Sequence, residues 1–208
     1  MDMYSVVKEN PILAILRNIP LEYTVDYAQA IVDGGISFFE VALNSEHGLK
    51  QIAILRDRFW GKKCMIGAGT AISVDLAKAA IGAGAQFLLT PGTPIDVLQY
   101  CAKKDIMLLP GVFTPGDVAT SLEFGYKTMK LFPAGCAPKG YLKALKGPYD
   151  EANYIAIGGV TIDNINDYFK EGYMGVGLAS NLMPLSVLKD KNWDLGVSYV
   201  QKYVSRVK

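Results

Sequence analysis

Two charged residues interrupt apolar stretches of this sequence: Lys130 in MetLysLeuPhePro and Glu40 in PhePheGluValAla. Burial strips a lysine of its hydration and lowers its pKa, and a neutral amine attacks a carbonyl carbon to form a Schiff base. A carboxylate facing that amine in one dry cavity supplies the matching acid and base. A blander reading fits the same residue types. Lys130 can pack its stem while its ammonium reaches water, or the two can form a buried structural ion pair. Arg17 follows the first apolar run, and its planar fork suits a carboxylate, unless it is simply a solvated rim arginine. Thr70 offers a second hydrogen bond. Gly158 and Gly159 begin a loop into a helix, where backbone amides bind phosphate, and Ser180 would complete such a site. The alternative there is a glycine turn and an ordinary helix cap. His47, at the start of a helical stretch, reads as a surface residue, and nothing near Cys136 argues for a reactive thiolate.

These residues must be brought together by the elements that carry them. Eight short β-rich runs stand at 11–16, 38–43, 64–68, 86–90, 106–110, 128–132, 154–157 and 174–178. They are nearly continuous apolar runs, as parallel strands buried on both faces require. Between them lie stretches with three- and four-residue apolar spacing, such as 22–33, 46–59 and 162–169, which predict helices. Gly34, Gly61, Gly84, Gly125 and Gly172 each precede a strand and suit left-handed helix caps. A last apolar periodicity over 194–207 predicts a closing helix. Units recurring about every 25 residues suit a small α/β fold of the (β/α)8 TIM-barrel type, a single domain over 1–208 with parallel strands. A doubly wound open sheet is the rival. The barrel is preferred because eight units are present and no Gly-rich dinucleotide loop follows the first run. In such a barrel the chemistry sits at the C-terminal ends of the strands, where Arg17, Thr70, the 158–159 glycines and Ser180 fall.

Composition narrows the class further. The chain has 208 residues, half of them hydrophobic, with 21 basic and 20 acidic side chains. That near-neutral balance gives no electrostatic case for a nucleic-acid partner or an anionic membrane. No apolar run approaches the ~18 residues of a membrane helix, and residues 1–10 lack the apolar core of a secretory signal. Three cysteines without CxxC spacing predict a reduced, cytoplasmic setting. A single histidine excludes a metal site built on several. Three functions remain open on these residues alone. One is a Schiff-base enzyme acting on a carbonyl substrate. Another is a phosphate-binding barrel isomerase or epimerase. The third is a non-catalytic sugar-phosphate binder.

With these residues in place, the sequence resembles the 2-keto-3-deoxy-6-phosphogluconate (KDPG) aldolase / 4-hydroxy-2-oxoglutarate aldolase family. The matching segments are ValAlaLeuAsnSer after Glu40, IleGlyAlaGlyThr at 66–70, ThrProGly at 90–92, MetLeuLeuProGlyValPheThrPro at 107–115, LysLeuPheProAla at 130–134 and IleGlyGlyVal at 157–160. They run in family order across roughly residues 11–183. The resemblance implies a class I aldolase on a βα barrel, working without metal or organic cofactor and assembled as a homotrimer. It implies that Lys130 is the Schiff-base lysine and Glu40 the general acid and base. Thr70 matches a threonine on the pyruvate carboxylate, while Pro91 and Phe132 match walls around the pyruvyl group. Gly158, Gly159 and Ser180 match the phosphate loop. The sequence departs from some members at two places: Asn44 stands where they carry arginine, with Arg17 as the arginine of other branches, and Ile157 stands where some gluconate-type members have threonine. AsnSer at 44–45 and IleGlyGlyVal are closer to the 2-keto-3-deoxy-6-phosphogalactonate branch.

Overall fold

Each of the eight apolar runs contains a strand, and the strands pair side by side, all parallel. The computed structural model describes residues 2–207, so Met1 and Lys208 of the expected 1–208 domain lie outside the described residues. The strand segments are β1 (Ile12–Leu16), β2 (Phe38–Ala42), β3 (Met65–Gly69), β4 (Leu88–Leu89), β5 (Leu108–Leu109), β6 (Gly111–Val112), β7 (Thr128–Leu131), β8 (Asn153–Ile157) and β9 (Gly175–Leu178). Their pairing order is β5-β4-β3-β2-β1-β9-β8-β7-β6. The two segments at the ends of that order, β5 and β6, are joined through Pro110 alone, so they are two halves of one barrel stave. Proline has no N–H to give a ladder, which accounts for the break. Its carbonyl still accepts from Lys130 N at 2.9 Å. Eight staves thus close into a (β/α)8 barrel, and an open sheet is excluded.

The helices alternate with the strands. A 3-10 turn, Leu21–Tyr23, leads into the helix Thr24–Asp33, and further helices span Gly48–Arg58 and Ile165–Glu171. The closing helix is Trp193–Val207, and it lies against Thr24–Asp33. Gly34 permits that approach, because a Cβ there would overlap the Val200 side chain. Its backbone is right-handed (φ −75°), and the left-handed position falls on Gly35 (φ +101°). This corrects the expected cap at Gly34: with two glycines in succession, the tight packing uses the first and the backbone reversal uses the second. Gly61, Gly84, Gly125 and Gly172 are left-handed as expected.

The core has two parts. One lies between the barrel and its helices, and the other fills the barrel itself with Leu13, Ile15, Phe38, Phe87, Leu89, Leu109, Ile155 and Ile157. The inner core continues into a short helix, Met3–Glu9, whose Met3, Val6 and Val7 are buried. Asp2 caps this helix by accepting from Ser5 N at 2.8 Å. Val7 meets β9 at Gly175, where a Cβ would stand 2.9 Å from Val7 Cγ1. The helix stops the N-terminal mouth of the barrel with apolar side chains. The buried charged residues Lys130 and Glu40 lie further along their strands, toward the opposite mouth.

Candidate active site at the C-terminal mouth of the barrel

Lys130 lies on β7 and Glu40 on β2, and both are almost fully buried, at 6% and 3% exposure. They hold no direct ion pair, yet each feels the other's charge. Burial pushes the Lys130 amine down to about 8; the Glu40 carboxylate opposes that shift and the Arg17 guanidinium adds to it. Burial pushes Glu40 up, against the pull of Lys130 and Arg17. Both shifts run toward the neutral forms, as desolvation dictates. At pH 7 the neutral share of Lys130 rises from roughly 1 in 3,000 to about 1 in 10. Glu40 Oε2 is buried with no hydrogen-bond partner. It occupies the space over Gly69 on β3, where a Cβ would overlap the carboxylate. A buried, unsatisfied carboxylate oxygen is costly, so its presence marks a place where a proton, a water or a substrate hydroxyl belongs.

The other residues singled out in the sequence surround this pair. Arg17 follows β1 and is exposed, and its charge reaches both Glu40 and Lys130. Thr70 follows β3 with a left-handed backbone (φ +62°), its Oγ1 3.4 Å from Asn44 Oδ1. Pro91 follows β4 and is exposed; its carbonyl presses on Gly111, where no Cβ would fit. The Thr90 hydroxyl fixes this corner, donating to Gly92 O at 2.6 Å and accepting from Gly111 N at 3.2 Å. The Phe132 ring spans the site. Its centroid is 5.1 Å from Lys130 Nζ, and its edge lies 3.3 Å from where a Cβ on Gly158 would stand.

Gly158 and Gly159 form a turn with two successive left-handed residues, at φ +88° and +87°. That backbone strongly favours glycine. Space demands glycine as well, because a Cβ on Gly159 would stand 2.9 Å from Gly135 Cα. Both carbonyls of the turn are engaged: Gly135 N donates to Gly158 O at 2.8 Å, and Asn164 Nδ2 donates to Gly159 O at 2.9 Å. The Asn181 amide reaches across to Val160 O at 2.9 Å, which brings Ser180 beside the turn. Among the described residues, the N–H groups of Gly159, Val160, Ser180 and Asn181 donate to no protein acceptor. Clustered free backbone N–H groups suit an anion. As expected the turn opens a loop into a helix, which begins at Ile165, three residues after the start of the expected 162–169 stretch, so the turn's own amides are the available donors.

Gly69 has little sequence signal, whereas Ile157 stands out in the sequence. Gly69 carries no chemistry, and its importance comes from the carboxylate lying over it. Ile157, at the end of β8, is buried against Gly177 and gives the wall beside the turn no hydrogen bond. His47 stands half-exposed at the start of its helix, and Cys136 is exposed in the loop after β7.

Known proteins share this architecture along nearly the whole chain. The family model for KDPG and KHG aldolases matches residues 3–197. The 2-dehydro-3-deoxy-6-phosphogalactonate aldolase of Escherichia coli is 31% identical over 195 residues, covering 93% of this chain and 94% of that protein. The 2-dehydro-3-deoxy-phosphogluconate aldolase of Pseudomonas aeruginosa is 31% identical over 185 residues, covering 88% and 81%. Among solved structures, the KDPG aldolase of Legionella pneumophila superposes with a TM-score of 0.88 at 29% identity, covering 95% of each chain. The match in sequence and the match in fold extend over the same residues as the barrel and its polar mouth, and the chain belongs to the KDPG and KHG aldolase family.

Proposed function

We infer that the chain is a class I aldolase that cleaves a 2-keto-3-deoxy-6-phospho sugar acid to pyruvate and glyceraldehyde 3-phosphate. The observation that carries this reading is the pairing of a buried lysine, lowered to about 8, with a buried carboxylate that is not bonded to it. In the cleavage direction the Lys130 amine adds to C2 of the keto acid. Loss of water from the carbinolamine leaves an iminium, with Glu40 carrying the protons. Glu40 then takes the C4 hydroxyl proton, the C3–C4 bond breaks, and its electron pair flows into the iminium to give an enamine. The aldehyde leaves, C3 is protonated, and hydrolysis returns pyruvate and free Lys130. The iminium is the electron sink, so the reaction needs no Lewis acid. The Legionella relative, solved with pyruvate captured as a covalent carbinolamine intermediate, supports the first step.

Arg17 and Thr70 hold the substrate carboxylate in this reading, and Pro91 and Phe132 wall the pyruvyl group. The Gly158–Gly159 turn with Ser180 holds the phosphate. Anchoring both ends positions the reacting carbons, and positioning contributes up to ~7–11 kcal/mol in favourable cases. The phosphogalactonate epimer is a second substrate, favoured by the Escherichia coli relative and by Asn44 and Ile157. Unphosphorylated 4-hydroxy-2-oxoglutarate would leave the glycine turn idle. The same reading takes residues 1–208 as one domain in a reduced cytoplasm. It includes a homotrimer, supported by Ile72 and Ile95, which stand 54% and 61% exposed beside the ends of β3 and β4. Borohydride reduction in the presence of pyruvate is the test. It should place one three-carbon unit on the Lys130 peptide, and labelling of another lysine, or of none, overturns the assignment.

A further inference from the structure

Among the described residues, eight polar or charged side chains are buried, and three of them, Thr24, Ser45 and Gln51, gather behind the turn that follows β1. Ser45 Oγ accepts from Asn18 N at 3.0 Å. The Gln51 amide donates to Ile19 O at 2.8 Å and to Thr24 Oγ1 at 2.9 Å. Ser45 is itself fixed, since its N–H donates to Ala42 O at 3.0 Å and its carbonyl accepts from Gly48 N at 3.2 Å. Asn18 is a non-glycine residue held in the left-handed region at φ +54°. Such a backbone persists only where its surroundings hold it. Burying polar side chains is worthwhile only when they are bonded, and here the bonds they make fix the Arg17–Asn18 and Ile19–Pro20 peptide units, one on each side of the Asn18–Ile19 unit.

The first of these units carries the carbonyl of Arg17 itself, and the second lies two peptide units further along. The Arg17 guanidinium makes no hydrogen bond and no ion pair with protein among the described residues, so nothing on the side chain itself aims it. What the fold does fix is the backbone beside it, at the Asn18 N–H and the Ile19 carbonyl. We propose that Ser45 and Gln51 are positioning residues for Arg17: they lock the Asn18–Ile19 turn so that the guanidinium meets the carboxylate of the bound 2-keto acid. This rests on the reading of Arg17 as the carboxylate clamp. Ser45 and Gln51 act through that clamp, so they govern binding of the keto acid and leave the covalent step to Lys130 and Glu40.

The experiment is a double-mutant cycle read on KM for pyruvate, with adduct formation at saturating pyruvate measured alongside. Ser45→Ala should raise KM about fivefold to tenfold, in keeping with a misaimed charge-assisted contact, while the saturated rate of adduct formation stays within twofold. Ser45→Thr keeps the oxygen and should restore KM. In an Arg17→Ala background, Ser45→Ala should add less than twofold. Gln51→Leu should follow the same pattern. If Ser45→Ala raises KM equally in the Arg17→Ala background, the residue acts by another route and the proposal is overturned. An unchanged KM in Ser45→Ala overturns it too. An Arg17→Ala protein with native KM fails differently, because it removes the clamp itself while leaving the Lys130 chemistry standing.

Discussion

The two mouths of the barrel are built from the same strands and do opposite things with them. At the N-terminal mouth, Met3, Val6 and Val7 continue the apolar filling of Leu13, Phe38 and Ile155. At the C-terminal mouth the same strands carry Lys130 and Glu40, each buried at a cost in hydration, with Glu40 Oε2 unsatisfied. One end gains stability from burial, and at the other burial shifts both groups toward their neutral forms. Substitutions at the two mouths should therefore separate cleanly into activity effects and stability effects.

The largest effect is expected at Glu40. Glu40→Gln keeps the shape and removes the base, so proton exchange into bound pyruvate should slow by ~10²–10⁴ with the fold intact. An unchanged exchange rate would assign the proton to another group. Gly69→Ala should cost less, about 10- to 100-fold in kcat, because it displaces the carboxylate without removing it. If Gly69→Ala keeps native kcat, Glu40 works from a position other than the one over Gly69. At the opposite mouth, Val7→Ala should lower unfolding stability by about 1–3 kcal/mol and leave kcat within twofold, which chemical denaturation and a pyruvate-coupled assay together can check. A large loss of kcat there would mean that the two ends are coupled. The smallest effect is expected at Ile157. Ile157→Thr adds a hydroxyl to the apolar wall and should move the kcat/KM ratio toward the phosphogluconate-type substrate by roughly 1–2 kcal/mol. A strong native preference left untouched would move the determinant to Asn44 or Ser45.

The comparison also accounts for what the sequence makes legible. The strands show themselves because each is buried on both faces and must be apolar almost throughout, so even the two-residue β4 lies inside a readable run. Lys130 and Glu40 stand out because they break such runs. The plug Met3–Glu9 does not stand out: it buries only Met3, Val6 and Val7, and its partner surface is assembled from distant strands. The division of labour between Gly34 and Gly35 depends on Val200, far along the chain. Gly69, Ser45 and Gln51 carry no chemical signal of their own, because each matters only through a neighbour that the fold supplies. The Gly158–Gly159 turn is visible as a glycine pair, but its free amides are not, since they depend on which acceptors the folded loop brings within reach.

The central claim is that burial at the C-terminal mouth turns Lys130 into a nucleophile, and the pH dependence of its trapping tests this most directly. The lysine must be neutral to attack, and burial lowers it to about 8. The kcat/KM for forming the borohydride-reducible pyruvate adduct should therefore rise about tenfold per pH unit below 8 and level off above it. Arg17 disfavours the charged amine, so Arg17→Gln should move this limb to higher pH, and Glu40→Gln, which removes a negative neighbour, should move it lower. A limb that stays near the ordinary lysine value of 10.5, or one that neither substitution moves, would contradict the account.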